Sequence, residues 1–171
     1  PTIELFWHSN MSNESSAFIF NRFLLPPYHL ISILISNYFG NQSTYNYWGA
    51  GDYIETVAAI GLVPSFFAYI SLVLRNHLSK KYRLFFFTVA IVTILSTIDW
   101  FMTRLLFSLP IPVISTSPPS RIFVLTSFSL AILAGYGFDA WANVVKLSIK
   151  IILKIIPFIA LVFAINVITF V

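Results

Sequence analysis

The 171-residue sequence has no cysteine, only six acidic residues and only 9% charged residues. Without cysteine there is neither a disulfide framework nor a thiolate metal site. Soluble domains carry roughly 25% charge, so water is not the solvent for most of this surface. The shortage of acids leaves a formal charge of +4 and a pI near 9.5. This excess does not point to nucleic acid, because the basic residues fall in short clusters between apolar runs and form no solvated stripe. His8, His29 and His77 lack metal-ligand spacing, and no metal site is expected.

What is present is hydrophobic: 58% of residues are apolar, 18% are aromatic, and mean hydropathy is +0.85. Crossing about 30 Å of hydrocarbon takes some 17–25 apolar residues in a helix. Four runs meet that measure: 56–74, with Pro64 as a tolerated kink; 84–100, ending at Asp99; 122–141; and 151–171, interrupted by Lys154 and Pro157. The expected fold is all-α, a polytopic transmembrane helix bundle. Residues 1–55 form an outer-face loop with short interfacial or re-entrant helices, and 56–171 carry the spans. The apolar run is still continuing at Val171 and no initiator Met opens the chain, so an internal fragment of a longer polytopic protein is expected.

Charge asymmetry gives the orientation. Residues 75–83 hold Arg75, Lys80, Lys81 and Arg83 with no acid, and Lys146 and Lys150 fall in 142–150. The positive-inside rule places both connections in the cytoplasm, with 1–55 and 101–121 outside. Within 17–36, Pro26-Pro27 forbids one continuous helix and predicts short pieces at, or dipping into, the interface. Residues 37–52 form a polar, aromatic loop suited to the headgroup zone. Residues 101–109, closed by Pro110 and Pro112, read as an interfacial helix, with Arg104 as a headgroup anchor. Gly135 with Ala131, four apart, permits close helix approach.

Two places bear chemistry. Asp52, Tyr53 and Glu55 lead into the first span. In one reading Asp52 caps a helix starting near Tyr53, with Glu55 completing a capping box. In the other, Glu55 faces a substrate cavity. Arg121 follows Ser117-Pro118-Pro119-Ser120 at the mouth of the third span. Its guanidinium either snorkels to lipid phosphate, pairs with Glu55, Asp52 or Asp99, or binds the phosphate of a lipid-linked substrate.

Two stretches together resemble the YfhO-like family of bacterial polytopic membrane proteins, relatives of the GT-C glycosyltransferases. One runs Asn37-Tyr38-Phe39-Gly40, Tyr47-Trp48-Gly49, Tyr53-Ile54-Glu55 and Ile60-Gly61-Leu62-Val63-Pro64. The other runs Leu109-Pro110, Pro118-Pro119-Ser120-Arg121 and Leu133-Ala134-Gly135-Tyr136-Gly137. The resemblance covers about residues 20–141. It implies a membrane glycosyltransferase of the bacterial inner (cytoplasmic) membrane. Such an enzyme takes sugar from a polyprenyl-phosphate donor and passes it to a glycopolymer or lipid acceptor of the cell envelope, on the outer face. Arg121, Glu55, Tyr53 and Asp52 carry over as substrate-binding candidates. The catalytic carboxylate is expected upstream, because residues 1–50 contain only Glu4 and Glu14 and no acidic pair. The junction here also lacks a further preceding arginine common in the family. The competing readings are a transporter or flippase for a lipid or polysaccharide, and a non-catalytic membrane scaffold.

The missing cysteines make the topology directly testable. Cysteines introduced at Ser43 and Ser79 are expected to react with an impermeant maleimide from opposite sides of the membrane, Ser43 from outside. Labelling of the Ser79 position from outside overturns the orientation.

Overall fold

The computed structural model describes residues 23–56, 59–74, 80–109, 118–143 and 149–170. The regular elements described are α1 (Tyr53–Thr56), α2 (Leu62–Val73), α3 (Lys80–Thr97), α4 (Phe101–Ser108), α5 (Phe123–Ala142) and α6 (Ile149–Phe170). Three 3-10 turns join them, at Pro27–Ile33, Gln42–Thr44 and Pro119–Ile122. Strand-like pairing among the described residues is confined to one parallel bridge between Leu25 and Ile98. The all-α expectation therefore holds. Pro119–Ala142, 24 residues with a mean hydropathy of 1.6 in its most apolar window, is long and apolar enough to cross a membrane; Leu62–Val73 and Ile151–Ile165 are shorter apolar helices.

The first expected span differs most. A continuous helix over 56–74 is replaced by α1 and α2, with Ala59–Gly61 non-helical between them. Gly61 explains the break, because its φ of 88° lies where L side chains are strained. Pro64 is then no mid-helix kink. It sits in the first turn of α2, where a missing N–H costs nothing. Twelve residues at about 1.5 Å each make α2 roughly 18 Å long, short of the ~30 Å hydrocarbon layer. The other expected runs are helical with ends shifted by a few residues: 84–100 over Lys80–Thr97, 122–141 over Phe123–Ala142, and 151–171 over Ile149–Phe170. Among the described residues, however, only the 122–141 run lies in a helix long and apolar enough to cross a membrane.

The break leaves backbone groups that need partners. Ile60 and Gly61 both donate to the carbonyl of Ile33, at 3.2 and 3.3 Å. The Pro27–Ile33 turn therefore folds back to cap the start of α2. Its N-terminal side is clipped to the end of α3: Leu25 N–H donates to the Thr97 carbonyl at 3.0 Å, and Asp99 N–H donates to the Leu25 carbonyl at 2.8 Å. Leu25 packs on Phe123 at the start of α5. At the opposite end, the Arg83 guanidinium donates to the Leu74 carbonyl at 3.1 Å, closing the last turn of α2.

α5 is central, packed extensively against α2 and α3. Its buried stripe is Phe123, Thr126, Ser129, Leu133, Gly137 and Ala140, at helical spacing. Facing it, α2 buries Ser65, Ala68, Ile70 and Ser71, and α3 buries Ala90, Thr93 and Thr97. The large apolar side chains point outward instead, with Val124 72% and Phe163 69% exposed. Small and hydroxylic residues inside with bulky ones outside is the reverse of a water-soluble core. Except for Ser129, whose buried hydroxyl has no partner among the described residues, these hydroxyls are satisfied locally or across the seam. Thr93 donates to the Val89 carbonyl at 2.8 Å, which leaves Thr126 as the donor in the buried 2.7 Å Thr93–Thr126 contact. Such a bond contributes about 1 kcal/mol in an apolar medium.

The close approach expected at Gly135 and Ala131 falls elsewhere. Both are exposed, and a Cβ on Gly135 would meet open space. Gly137 makes the contact: a Cβ there would run into the Phe67 carbonyl, 2.6 Å from its carbon and 3.0 Å from the Ser71 nitrogen. Both obstacles are backbone and cannot swing away. Gly137→Ala is therefore expected to destabilise the α2–α5 seam by about 1–3 kcal/mol. Gly135→Ala should instead stabilise the helix by roughly 0.5–1 kcal/mol. Thermal unfolding of the two variants in detergent distinguishes them, and equal midpoints would contradict this packing.

Candidate functional site

The polar groups not consumed by helix packing gather where the chain clips Leu25, α1 and the Pro119–Ile122 turn together. The loop before α1 is built to hold its own shape. Gly40 takes a φ of 82°, and a Cβ there would meet the Asn46 carbonyl. Asn46 Oδ1 accepts from the Asn41 N–H at 2.8 Å and from the Thr44 hydroxyl at 2.6 Å, and Asn41 Oδ1 accepts from Ser43 N–H at 2.9 Å. Trp48 N–H then closes the loop on the Phe39 carbonyl at 2.9 Å. Phe39 is buried at the centre of an aromatic cluster, stacked on His29 at 4.1 Å and edge-on to Trp48 at 4.8 Å.

His29, at 2% exposure, is the most enclosed ionisable side chain of this end. Its Nε2 accepts from the Ala50 N–H at 2.8 Å, so the neutral ring carries its proton on Nδ1, which has no partner. Burial pushes its pKa below the ordinary 6.5. Next along the chain, the Tyr47 hydroxyl donates to the Ala50 carbonyl at 2.8 Å and lies 3.2 Å from the Thr56 hydroxyl. Burial first, then nearby Asp52, raise the Tyr47 pKa against the opposing Thr56 hydrogen bond, so this group is a hydrogen-bond donor and not a base. The Tyr53 hydroxyl donates to Asn37 Oδ1 at 3.0 Å.

α1 begins at Tyr53 as expected, with Thr56 N–H donating to the Asp52 carbonyl at 3.1 Å. The Glu55 side chain lies outside the described residues. α1 touches the Pro119–Ile122 turn, which also packs on α3. That contact brings the Tyr53–Thr56 helix against the turn that carries Arg121, with Asp52 just before the helix in the chain. Pro118, Pro119 and Ser120 are buried while Arg121 is exposed, so the two prolines anchor a turn that presents a guanidinium. The Ser120 hydroxyl beside it is buried without a partner among the described residues.

One expected partner for Arg121 is taken. Asp99 receives Arg104 bidentately, Nε to Oδ1 at 2.5 Å and Nη2 to Oδ2 at 2.7 Å. Arg104 is thus an ion-pair partner at the α3–α4 corner, reached in one turn of α4, and not simply a headgroup anchor. Its hydrogen bond holds the Asp99 carboxyl below its usual range, against a smaller effect of burial. The pair therefore stays charged above that range and is lost only on stronger acidification.

The site also includes residues that sequence reasoning passed over. His29 and Thr56 belong to no motif, Asn37 and Tyr47 lie in the family-like stretch without having been given a role, and only the fold joins these residues, 9 to 21 positions apart. Three clefts among the described residues lie along α2, α3 and α6, and these three are not lined by Arg121, Tyr53 or Asp52. Among the described residues, no group of three or more His, Asp or Glu could hold a metal ion. Compared with known protein families, with curated proteins and with solved structures, the chain matches none.

Because folding lowers the His29 pKa, the unfolded chain binds the proton more readily. Its contribution to stability is complete above about pH 6.5 and falls as pH drops toward the lower folded value. The melting temperature is expected to fall between about pH 7.5 and about pH 5.5, and to fall less in His29→Gln, which keeps an acceptor for Ala50 without titrating. An identical pH dependence in the variant would contradict a buried neutral His29.

Proposed function

We propose that the chain is the membrane-embedded part of a multi-pass glycosyltransferase that handles a polyprenyl-phosphate sugar at its loop-rich end, on the outer face. The observation that carries this reading is the packing of α1 against the Pro119–Ile122 turn, which brings both halves of the family-like motif together. Arg121 holds the donor phosphate, for which a planar, permanently charged fork is suited. The Tyr47 hydroxyl, bonded to the Ala50 carbonyl, and the Asn37 amide, which accepts from Tyr53, belong to the polar network that leads into α1. Asp52, Tyr53 and Glu55 border the acceptor side. The catalytic carboxylate belongs to a segment outside this chain, and no proton transfer is assigned to a residue here. The inside-out seam and the apolar exterior support immersion in the bilayer. The clusters Lys80, Lys81, Arg83 and Lys154 support a cytoplasmic basic end.

A transporter or flippase for a lipid or polysaccharide is favoured by one specific feature. The first span is discontinuous, and its freed amides are capped by an inward-folded turn, as in proteins that bind cargo between half-helices. The seam carries only small hydroxyls, and the imidazole, phenol and amide groups gathered at the loop-rich end favour the enzyme.

The two readings part on Arg121→Ala in the full-length protein, assayed in vesicles with a labelled polyprenyl-phosphate sugar. Loss of the guanidinium should lower sugar transfer by about 100-fold at unchanged expression, the scale of removing one preorganised charge-stabilising donor. Unchanged transfer sinks the phosphate-binding role. Movement of label across the bilayer without transfer to an acceptor replaces the enzyme with the transporter.

A further inference from the structure

The basic end of the bundle has features that neither sugar transfer nor helix packing uses. α6 rests on α2 mainly through Phe158, whose ring lies 5.4 Å from Phe66 and 5.5 Å from Tyr69. Pro157 cannot donate within its helix, and its ring disturbs the preceding turn. The Tyr69 hydroxyl compensates, donating to the Lys154 carbonyl at 2.7 Å. Phe158 thus props the two helices apart, with a cleft on either side of it.

Toward the basic end, Tyr69, Leu72, Leu153 and Lys154 line a cleft of about 750 Å³. Toward the other end, Leu62, Phe66, Ile159, Val162 and Phe163 line an apolar cleft of about 560 Å³. A third, of about 290 Å³, lies between α2 and α3, where Leu72 meets Lys80 and Arg83. Leu72 lines both the first and the third clefts, so Lys154 and Lys80 each share a cleft with it. The described charges of this end are Lys80, Lys81, Arg83 and Lys154 against one carboxylate, Asp139, which has the Asn143 amide beside it. Arg83 already caps Leu74. From Lys154 to Phe163 the α6 seam runs about 13 Å, close to the hydrocarbon depth of one leaflet.

A cationic mouth opening on an apolar seam of leaflet length is complementary to one class of occupant. We infer that the basic end binds an anionic phospholipid, with its phosphate between Lys80 and Lys154 at Leu72 and an acyl chain along the α2–α6 seam. Basic pockets between membrane helices recognise such headgroups through charge, and apolar walls hold the chain. The site rests on the membrane-spanning arrangement proposed above and is independent of sugar transfer, so the two ideas fail separately.

The test is lipid retention. The full chain, purified in detergent and exposed to equal phosphatidylglycerol and phosphatidylcholine, is examined by native mass spectrometry for bound lipid. Selective retention of phosphatidylglycerol is expected. Each of Lys80→Gln and Lys154→Gln should weaken it roughly fivefold and the double variant about 30-fold, the equivalent of about 1 kcal/mol per charge. Lys81→Gln removes the same charge outside the clefts and should leave retention unchanged. Ile159→Trp, at an exposed position on the apolar cleft, should reduce retention with every lysine in place. Equal retention of both lipids, equal loss with Lys81→Gln, or full retention in the Lys80/Lys154 double variant overturns the site. Displacement of the lipid by millimolar inorganic phosphate also overturns it, because the apolar seam would then contribute nothing.

Discussion

A main-chain amide in an apolar chain must be bonded somewhere, and the fold turns on how two of them are bonded. The break at Gly61 frees the N–H groups of Ile60 and Gly61, and the Ile33 carbonyl takes both. That pairing draws the Pro27–Ile33 turn against the start of α2. Because the turn is also clipped through Leu25 to the end of α3, the loop-rich end is tied to two helices at once. His29, inside the turn, then reaches Ala50, and through Ala50 the loop reaches Tyr47 and Thr56. Had the first span continued as one helix, there would be no seat for the turn and no reason for this network.

Beneath the loop-rich end the helices pack by closeness and not by bulk. Gly137 lets α5 lie against the α2 backbone at Phe67 and Ser71, and the Thr93–Thr126 bond ties α3 to the other side of the same helix. With large side chains turned outward, little hydrophobic driving force remains between helices, and van der Waals contact with a few hydrogen bonds must hold them. The central helix also begins at the Pro118-Pro119 turn, so the rigidity of the α5 seam is passed to the base of Arg121. This connects packing to proposed chemistry: a phosphate-binding guanidinium needs a fixed foundation more than it needs a deep pocket.

Much of the helical layout was legible in the sequence, and for a simple reason. Length and hydropathy are one-dimensional properties, so the helices ending near Thr97, Ala142 and Phe170 could be read directly, as could the short helix Phe101–Ser108. The break at Gly61 could not. A single glycine and Pro64 inside an apolar run read equally well as a kink, and only the long-range bond to Ile33 decides between them. The same limit explains Gly135 and Gly137: residue spacing suggested the first, whereas the rotation of α5 against α2 selects the second. In the candidate site, the start of α1 at Tyr53 and the exposure of Arg121 after two prolines followed from local rules. His29 at Ala50 depends on which distant parts of the chain meet, and Arg104 at Asp99, only five residues apart, depends on the geometry of the α3–α4 corner.

The account stands or falls on the helix break at Gly61 and its cap. Site-resolved hydrogen–deuterium exchange at the Ile60 and Gly61 amides, in the full chain held in lipid nanodiscs, tests it most directly. Both amides are predicted to be protected together with those of Leu62–Val73, and to lose protection when the turn before Ile33 is deleted. Rapid exchange in the intact protein, or protection that survives the deletion because the span is one unbroken helix, would contradict it.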